Sequence, residues 1–163
     1  QAATYETLIG LLSVSALRTG EVLRLDRNDV DDEHSLLVVR DTKFAKSREV
    51  PLHATTLDAL KCYLEQRNEL CPSATGPSLF ISTAGTRLRY NVVQDIFANL
   101  CRRAGLQARG ERCRPRLHDL RHSFAVTSLL EWYRDGADRP RSLATALDDA
   151  RARRSRLHLL VSR

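Results

Sequence analysis

Apolar side chains at positions 5, 8, 9, 12 and 16 recur three and four residues apart, which predicts an amphipathic helix over residues 4–17. The pattern breaks at Arg18-Thr19-Gly20 and resumes as a short second helix over 21–25, with Thr19 as its N-cap. Residues 26–34 are polar and read as a turn. The period then gives way to an unbroken Leu-Leu-Val-Val between Ser35 and Arg40, which predicts a strand. Residues 48–52 repeat that signal after a polar segment. The pair reads as a β-hairpin with Lys43 and Lys46 at its tip or shoulders.

Pro51, Thr55 and Thr56, with Asp58 following, announce a helix that runs to about residue 70. Pro72 and Pro77 bound a loop, and residues 78–83 predict a third short strand closed by Gly85. Apolar positions 92, 93, 96, 97, 100 and 101 predict a helix over 91–104, capped by Asn91 and stopped by Gly105. An irregular stretch follows, carrying Arg109, Arg112, Arg114 and Arg116, before helical patterning returns over 118–133. Beyond Gly136 the pattern decays, and residues 148–163 present no organised apolar face. The expected fold class is α+β: mainly helical, with a small antiparallel three-stranded sheet and no internal repeat.

Length allows one domain with a sizeable core, since 163 residues are few for two. Hydrophobic residues at 42% and charged residues at 28% describe an ordinary soluble globular chain. No apolar run approaches the roughly 20 residues of a membrane span, and no leader pattern is present, so the expectation is a cytoplasmic protein with no membrane partner. The cysteines Cys62, Cys71, Cys101 and Cys113 form no CxxC pair, and no histidine pair sits at ligand spacing. They read as core or surface thiols, with no metal site, no disulfide framework and no cofactor expected. The chain begins at Gln1 inside a helical pattern and reads as a fragment.

Charge is more informative. Lys and Arg number 26 against 20 Asp and Glu, a formal charge of +6. A basic balance favours polyanionic partners, because neutralising phosphates releases condensed counterions. Three stretches concentrate cations or histidines at the edges of predicted elements: residues 16–25 around Arg18, residues 42–52 around Lys43, and residues 116–125 around His118 and Arg121. Singly, each has an ordinary reading. Arg18 can be a solvated charge at a helix C-terminus, Lys43 a solubilising turn residue, and His118 with Arg121 a basic helix surface. On a helix, however, His118 and Arg121 share one face, and together could present a proton-transfer group and a phosphate clamp to one ligand.

In combination and order the three stretches are more specific. Arg18 in L-R-x-G-E-x-L, Lys43 ahead of K-x-R-x-V-P-L, and His118 and Arg121 in L-H-D-L-R-H-S-F-A together resemble the catalytic domain of the tyrosine recombinase (phage integrase) family. The resemblance covers residues 4 to about 145. It implies the family's DNA breaking–rejoining core and metal-free phosphoryl transfer through a phosphotyrosine intermediate, with double-stranded DNA as partner. It further implies DNA integration or site-specific recombination, and homotetramers on DNA for intact members. By the match, Arg18 and Arg121 stabilise charge on the non-bridging phosphate oxygens. Lys43 is the general acid for the leaving oxygen, and His118 is the proton-transfer group. Glu21 orients Arg18, and His122 plays a supporting or structural part.

The family's L-G-H and the tyrosine that follows it do not occur after Arg121. The tyrosines are Tyr5, Tyr63, Tyr90 and Tyr133, and only the last lies beyond Arg121. Tyr133 is expected to pack in the core, so no nucleophile is assigned. Residues 1–145 read as an incomplete catalytic domain, without the family's N-terminal core-binding domain, and 146–163 as an aberrant basic tail. Read one base further along, permitted codons for that tail can spell R-S-T-T-L-G-H-A-D-R-D-S-T-Y-W-Y-L, with L-G-H and a tyrosine at the family's separation. The expectation is a frameshifted recombinase gene, out of frame from near residues 142–147. On this reading the chain is inactive; the alternatives are a non-catalytic DNA-binding remnant or a pseudogene product. The nucleotide sequence tests the frameshift: frame +1 must encode L-G-H and the tyrosine, and any other reading there ends the idea.

Overall fold

Helix α1 (Ala2–Ser15) is the element on which three of the other helices pack. Its Tyr5, Leu8, Leu11, Leu12 and Ser15 are buried, a stripe at three- and four-residue spacing, and helices α2, α3 and α5 all pack against it. The computed structural model describes residues 1–40, 47–74, 76–106, 108, 110 and 114–134. Lys43, Lys46, Arg109, Arg112, Cys113 and the 146–163 tail lie outside the described residues.

Ala16, at φ 51, ends α1 in the left-handed region. The chain turns there, burying Leu17 and leaving Arg18 exposed. Helix α2 (Thr19–Arg24) follows. Its cap is Arg18 rather than the expected Thr19, which is the first helical residue. The capping acceptor is Glu21, whose carboxylate takes the Arg18 backbone N–H at 2.8 Å. A one-turn 3-10 helix (Arg27–Asp29) uses the same device, with Asp29 accepting the Asp26 N–H at 2.8 Å.

The antiparallel sheet runs in the order β1 (Val30–Asp31), β2 (Leu36–Val39), β3 (Arg48–Pro51). Leu36 stands opposite Pro51 and Val39 opposite Arg48, so the hairpin expected from the sequence forms. Leu37, Val39 and Val50 turn into the core. The third strand differs from expectation. Residues 78–83 make only isolated bridges, Asp26 with Ser78 and Ile81 with Arg87, while Val30–Asp31, read as turn, joins the sheet. Burial explains the exchange. Leu79, Phe80 and Ile81 are consecutive and all buried, which a strand with one solvated face cannot accommodate. They plug the core beneath α3, where Phe80 packs on Tyr63 with ring centroids 5.3 Å apart. Two residues of β1 are too few for alternation to register in the sequence.

Helix α3 (Ala54–Leu70) starts at His53, whose Nδ1 accepts the Thr55 N–H. Helix α4 (Tyr90–Arg103) is capped at Arg89, placing Asn91 inside the first turn instead of at the cap. It closes as expected at Gly105, φ 72. There the Gly105 N–H reaches the Arg102 carbonyl at 3.1 Å and the Leu106 N–H the Cys101 carbonyl at 2.9 Å. Helix α5 (Leu117–Arg134) opens with Asp119 accepting the Arg116 N–H at 2.8 Å.

One face of α5 carries Leu117, Phe124 and Ser128, all buried. Tyr133, expected in the core, is 80% exposed. At roughly 100° per residue it falls about 180° from Phe124, on the opposite face with Val126 and Leu130. Among the described residues no helix is long and apolar enough to cross a membrane. The face assignment predicts that Phe124→Ala costs about 3–5 kcal/mol in urea unfolding, while Leu130→Ala costs under about 0.5 kcal/mol. Equal losses would mean that α5 is rotated from this register.

Candidate functional site

Glu21 lies on the inner side of α2 beside Val22 and Leu23, and its side chain is 2% exposed. A carboxylate removed from water in this way must be paired and hydrogen-bonded. Arg18 Nη1 donates to Oε1 at 3.0 Å, and the Arg18 backbone N–H to Oε2 at 2.8 Å. From β3, Arg48 closes a fork on the same group, Nη1 to Oε1 at 3.2 Å and Nη2 to Oε2 at 2.9 Å. Burial pushes the carboxyl pKa up, but the Arg18 N–H and the two guanidiniums, Arg48 foremost, outweigh it and hold the group below its ordinary value. The cluster therefore keeps one net positive charge.

Arg18 presents that charge outward. Half of its side chain is exposed, and a guanidinium has five N–H donors, so the bond to Glu21 leaves capacity for an anion. Arg48 is engaged through both terminal nitrogens and is more enclosed, at 34%. Sequence reasoning includes Arg48 only as the arginine of K-x-R-x-V-P-L and gives it no role. The available signal is Glu21 itself, an acid between residues that must be buried, which calls for more than one cation.

His118 and Arg121 occupy the first turns of α5, three apart and on one face. Arg121 is half-buried, with Nη1 shielded from solvent. His118 is exposed, its ring edge-on to that of His122, also exposed, at 4.6 Å between centroids. Leu17 and Leu117, adjoining Arg18 and His118 in the chain, belong to one hydrophobic cluster. The structure thus joins Arg18, Glu21 and Arg48 directly, pairs His118 with His122, and sets Arg121 on the His118 face. Lys43 falls within residues 41–46, outside the described residues.

Glu21 also lines a cavity of about 320 Å³ with Arg24, Asp26, Asp29, Arg40 and Arg87. There Arg40 pairs with Asp29 and Arg87 with Asp26, each at 2.6 Å. Arg102 and Arg103, in the last turn of α4, and Arg114 and Arg116, just ahead of α5, are exposed. Tyr5 and Tyr63 are buried, and burial raises both phenol pKa values, so neither is an accessible nucleophile. Tyr133 stands on α5 itself, roughly 18 Å along the axis from Arg121.

The folded-state pKa of Glu21 lies below its unfolded value, so the cluster contributes stability above the ordinary carboxylate range. That contribution is lost as pH falls through the folded value. Glu21→Gln is expected to cost about 3 kcal/mol at neutral pH and to flatten the acid limb of the stability curve. Urea midpoints at neutral and acid pH measure both, and an unchanged pH dependence would remove Glu21 from the account.

Residues 1–138 match the model of the Phage integrase family. A putative integrase/recombinase of Sinorhizobium fredii, y4rB, is 45% identical over 141 residues, which are 86% of this chain and 45% of that protein. The tyrosine recombinase XerA of Thermococcus onnurineus is 38% identical over 122 residues, 74% of this chain and 39% of XerA. The chain spans less than half the length of these curated relatives. Among solved structures, the XerH site-specific recombinase in a pre-cleavage complex with its difH substrate superposes with a TM-score of 0.66 at 26% identity, covering 98% of this chain and 46% of XerH. The lambda integrase catalytic core superposes at 0.57 and 22% identity, over 80% of this chain and 72% of that core. With three matching motifs, this helical core and its three-stranded sheet, the chain belongs to the phage integrase family and carries the tyrosine recombinase catalytic-domain fold.

Proposed function

We propose that this chain is the phosphate-binding part of a site-specific DNA recombinase, acting on double-stranded DNA and lacking the nucleophile of its own reaction. The observation that carries the reading is Arg18, half exposed and held from behind by a buried carboxylate that Arg48 also holds. An arginine fixed in this way is organised before its ligand arrives, so little orientation is lost on binding a planar or tetrahedral oxyanion.

In this reading Arg18 and Arg121 take the non-bridging oxygens of one phosphodiester. As the pentavalent transition state gathers charge on those oxygens, two guanidiniums stabilise it without a metal. Lys43 protonates the departing 5′ oxygen, and His118, steadied by His122, manages the proton near the scissile phosphate. The attacking group would be a tyrosine hydroxyl giving a 3′-phosphotyrosyl link. None of the four tyrosines fits that role, since two are buried, Tyr90 is on α4, and Tyr133 is several turns down the helix that carries His118. The exposed arginines 102, 103, 114 and 116 add backbone contacts that carry no base code. The family match stops at residue 138, ahead of the 146–163 tail, which supports leaving the tail arginines out of the DNA surface. XerH bound to its difH substrate and the lambda integrase dimer bound to a core site are both DNA complexes, which supports duplex DNA as the partner.

Two measurements test the reading. A DNA duplex is expected to shift in a gel with strong salt dependence, and Arg121→Ala to reduce the slope of log affinity against log salt by about 0.9, the value of one lost phosphate contact. A nicked suicide substrate is expected to trap no covalent adduct. Absence of a salt-dependent shift would sink the DNA assignment, and an adduct on any tyrosine would sink the claim that the chain lacks its nucleophile.

A further inference from the structure

We propose that Arg48 is a positioning residue of this site, acting through Glu21 on Arg18 and tying the foot of the β2–β3 hairpin to the Arg18 corner. The proposal rests on the phosphate-binding reading above and extends it to a residue with no assigned role. Three observations carry it.

The first is stoichiometry. Glu21 receives four hydrogen bonds, two from Arg18 and two from Arg48. Arg48 gives both terminal nitrogens to this carboxylate in a fork, the geometry a guanidinium has and an ammonium lacks. It is thereby committed to Glu21 and acts on a ligand only through it. The second is burial. With one partner removed, a carboxylate exposed at only 2% would have to satisfy itself from Arg18 alone. Arg18 would be drawn inward, away from the solvent face that half of its side chain now occupies. The third is topology. Arg48 is the first residue of β3, directly across the ladder from Val39, and residues 40–47 connect those two positions. The Glu21–Arg48 fork therefore anchors one foot of the connection that carries Lys43 to the residue that orients Arg18.

The test uses the full chain and a double-mutant cycle. Affinity for a short mixed-sequence DNA duplex is measured at low salt for wild type, Arg18→Ala, Arg48→Lys and the double variant. Arg18→Ala is expected to weaken binding about tenfold. Arg48→Lys keeps the charge and loses the fork, and is expected to weaken binding about three- to tenfold in the wild-type background and not at all in the Arg18→Ala background. Equal losses in both backgrounds would mean that Arg48 touches DNA itself, and no loss in either would mean that it positions nothing; both overturn the proposal.

A second readout separates this proposal from the reading beneath it. The Arg18 Nε–Hε NMR signal of the free protein is expected to shift or broaden in Arg48→Lys. It should not do so in Arg40→Lys, whose partner is Asp29. If Arg18→Ala leaves DNA affinity unchanged, the phosphate reading fails while the Arg18 signal still decides on Arg48, and an unmoved signal overturns the positioning role. Glu21→Asp withdraws the carboxylate by one carbon. It serves where Arg48→Lys does not fold, and it must move the Arg18 signal and the affinity in the same direction.

Discussion

A carboxylate with 2% of its side chain exposed sets the terms for this corner of the molecule. Leaving Glu21 buried and under-paired would cost several kcal/mol, so the fold has to bring donors to it from different parts of the chain. Arg18 arrives because α1 ends in a left-handed residue and turns the chain across the start of α2. Arg48 arrives because the hairpin register puts it at the end of the ladder. Two local features with no sequence relation to each other are thus constrained by one acceptor. The remainder follows electrostatically: a negative group between two positive ones leaves a single positive charge, and the side chain able to express it is the more exposed of the two.

The fold serves this arrangement by making α1 the common reference. Helices α2, α3 and α5 pack on it, and the residues next to Arg18 and His118 in the chain, Leu17 and Leu117, are buried in the same cluster. The proposed phosphate ligands therefore hang from the rigid core on short backbone leads. Close packing of that core limits how far either lead can drift.

Where the chemistry of single side chains decides local structure, the sequence is legible. The hairpin, the Gly105 stop and the five helices are all readable from period and punctuation. The link between Glu21 and Arg18 is legible only through the resemblance that L-R-x-G-E carries, and the structure shows the two residues hydrogen-bonded. What stays hidden depends on contacts between distant segments. Residues 78–83 have the composition of a strand but are used as a core plug, and β1 is a strand only because β2 stands beside it. Tyr133 has an apolar neighbourhood in the sequence, which is not the same as a buried one; the register of α5 against Phe124 turns it outward. Arg48 is inconspicuous because its motif reads as an ordinary strand start, and its partner lies 27 residues away.

The separation of binding from attack also follows from geometry. A straight helix cannot bring a residue three turns down its axis back to its own first turn, so Tyr133 and the His118–Arg121 face are held apart by the rigidity that makes α5 a good platform. On the proposed reading, an attacking group would therefore have to come from outside α5. The groups proposed to hold a phosphate are placed by α1, α2, β3 and α5, and none of these elements depends on an attacking hydroxyl for its place. On the proposed reading, holding a phosphodiester and breaking it are separate demands, and the second needs a group whose position α5 does not determine.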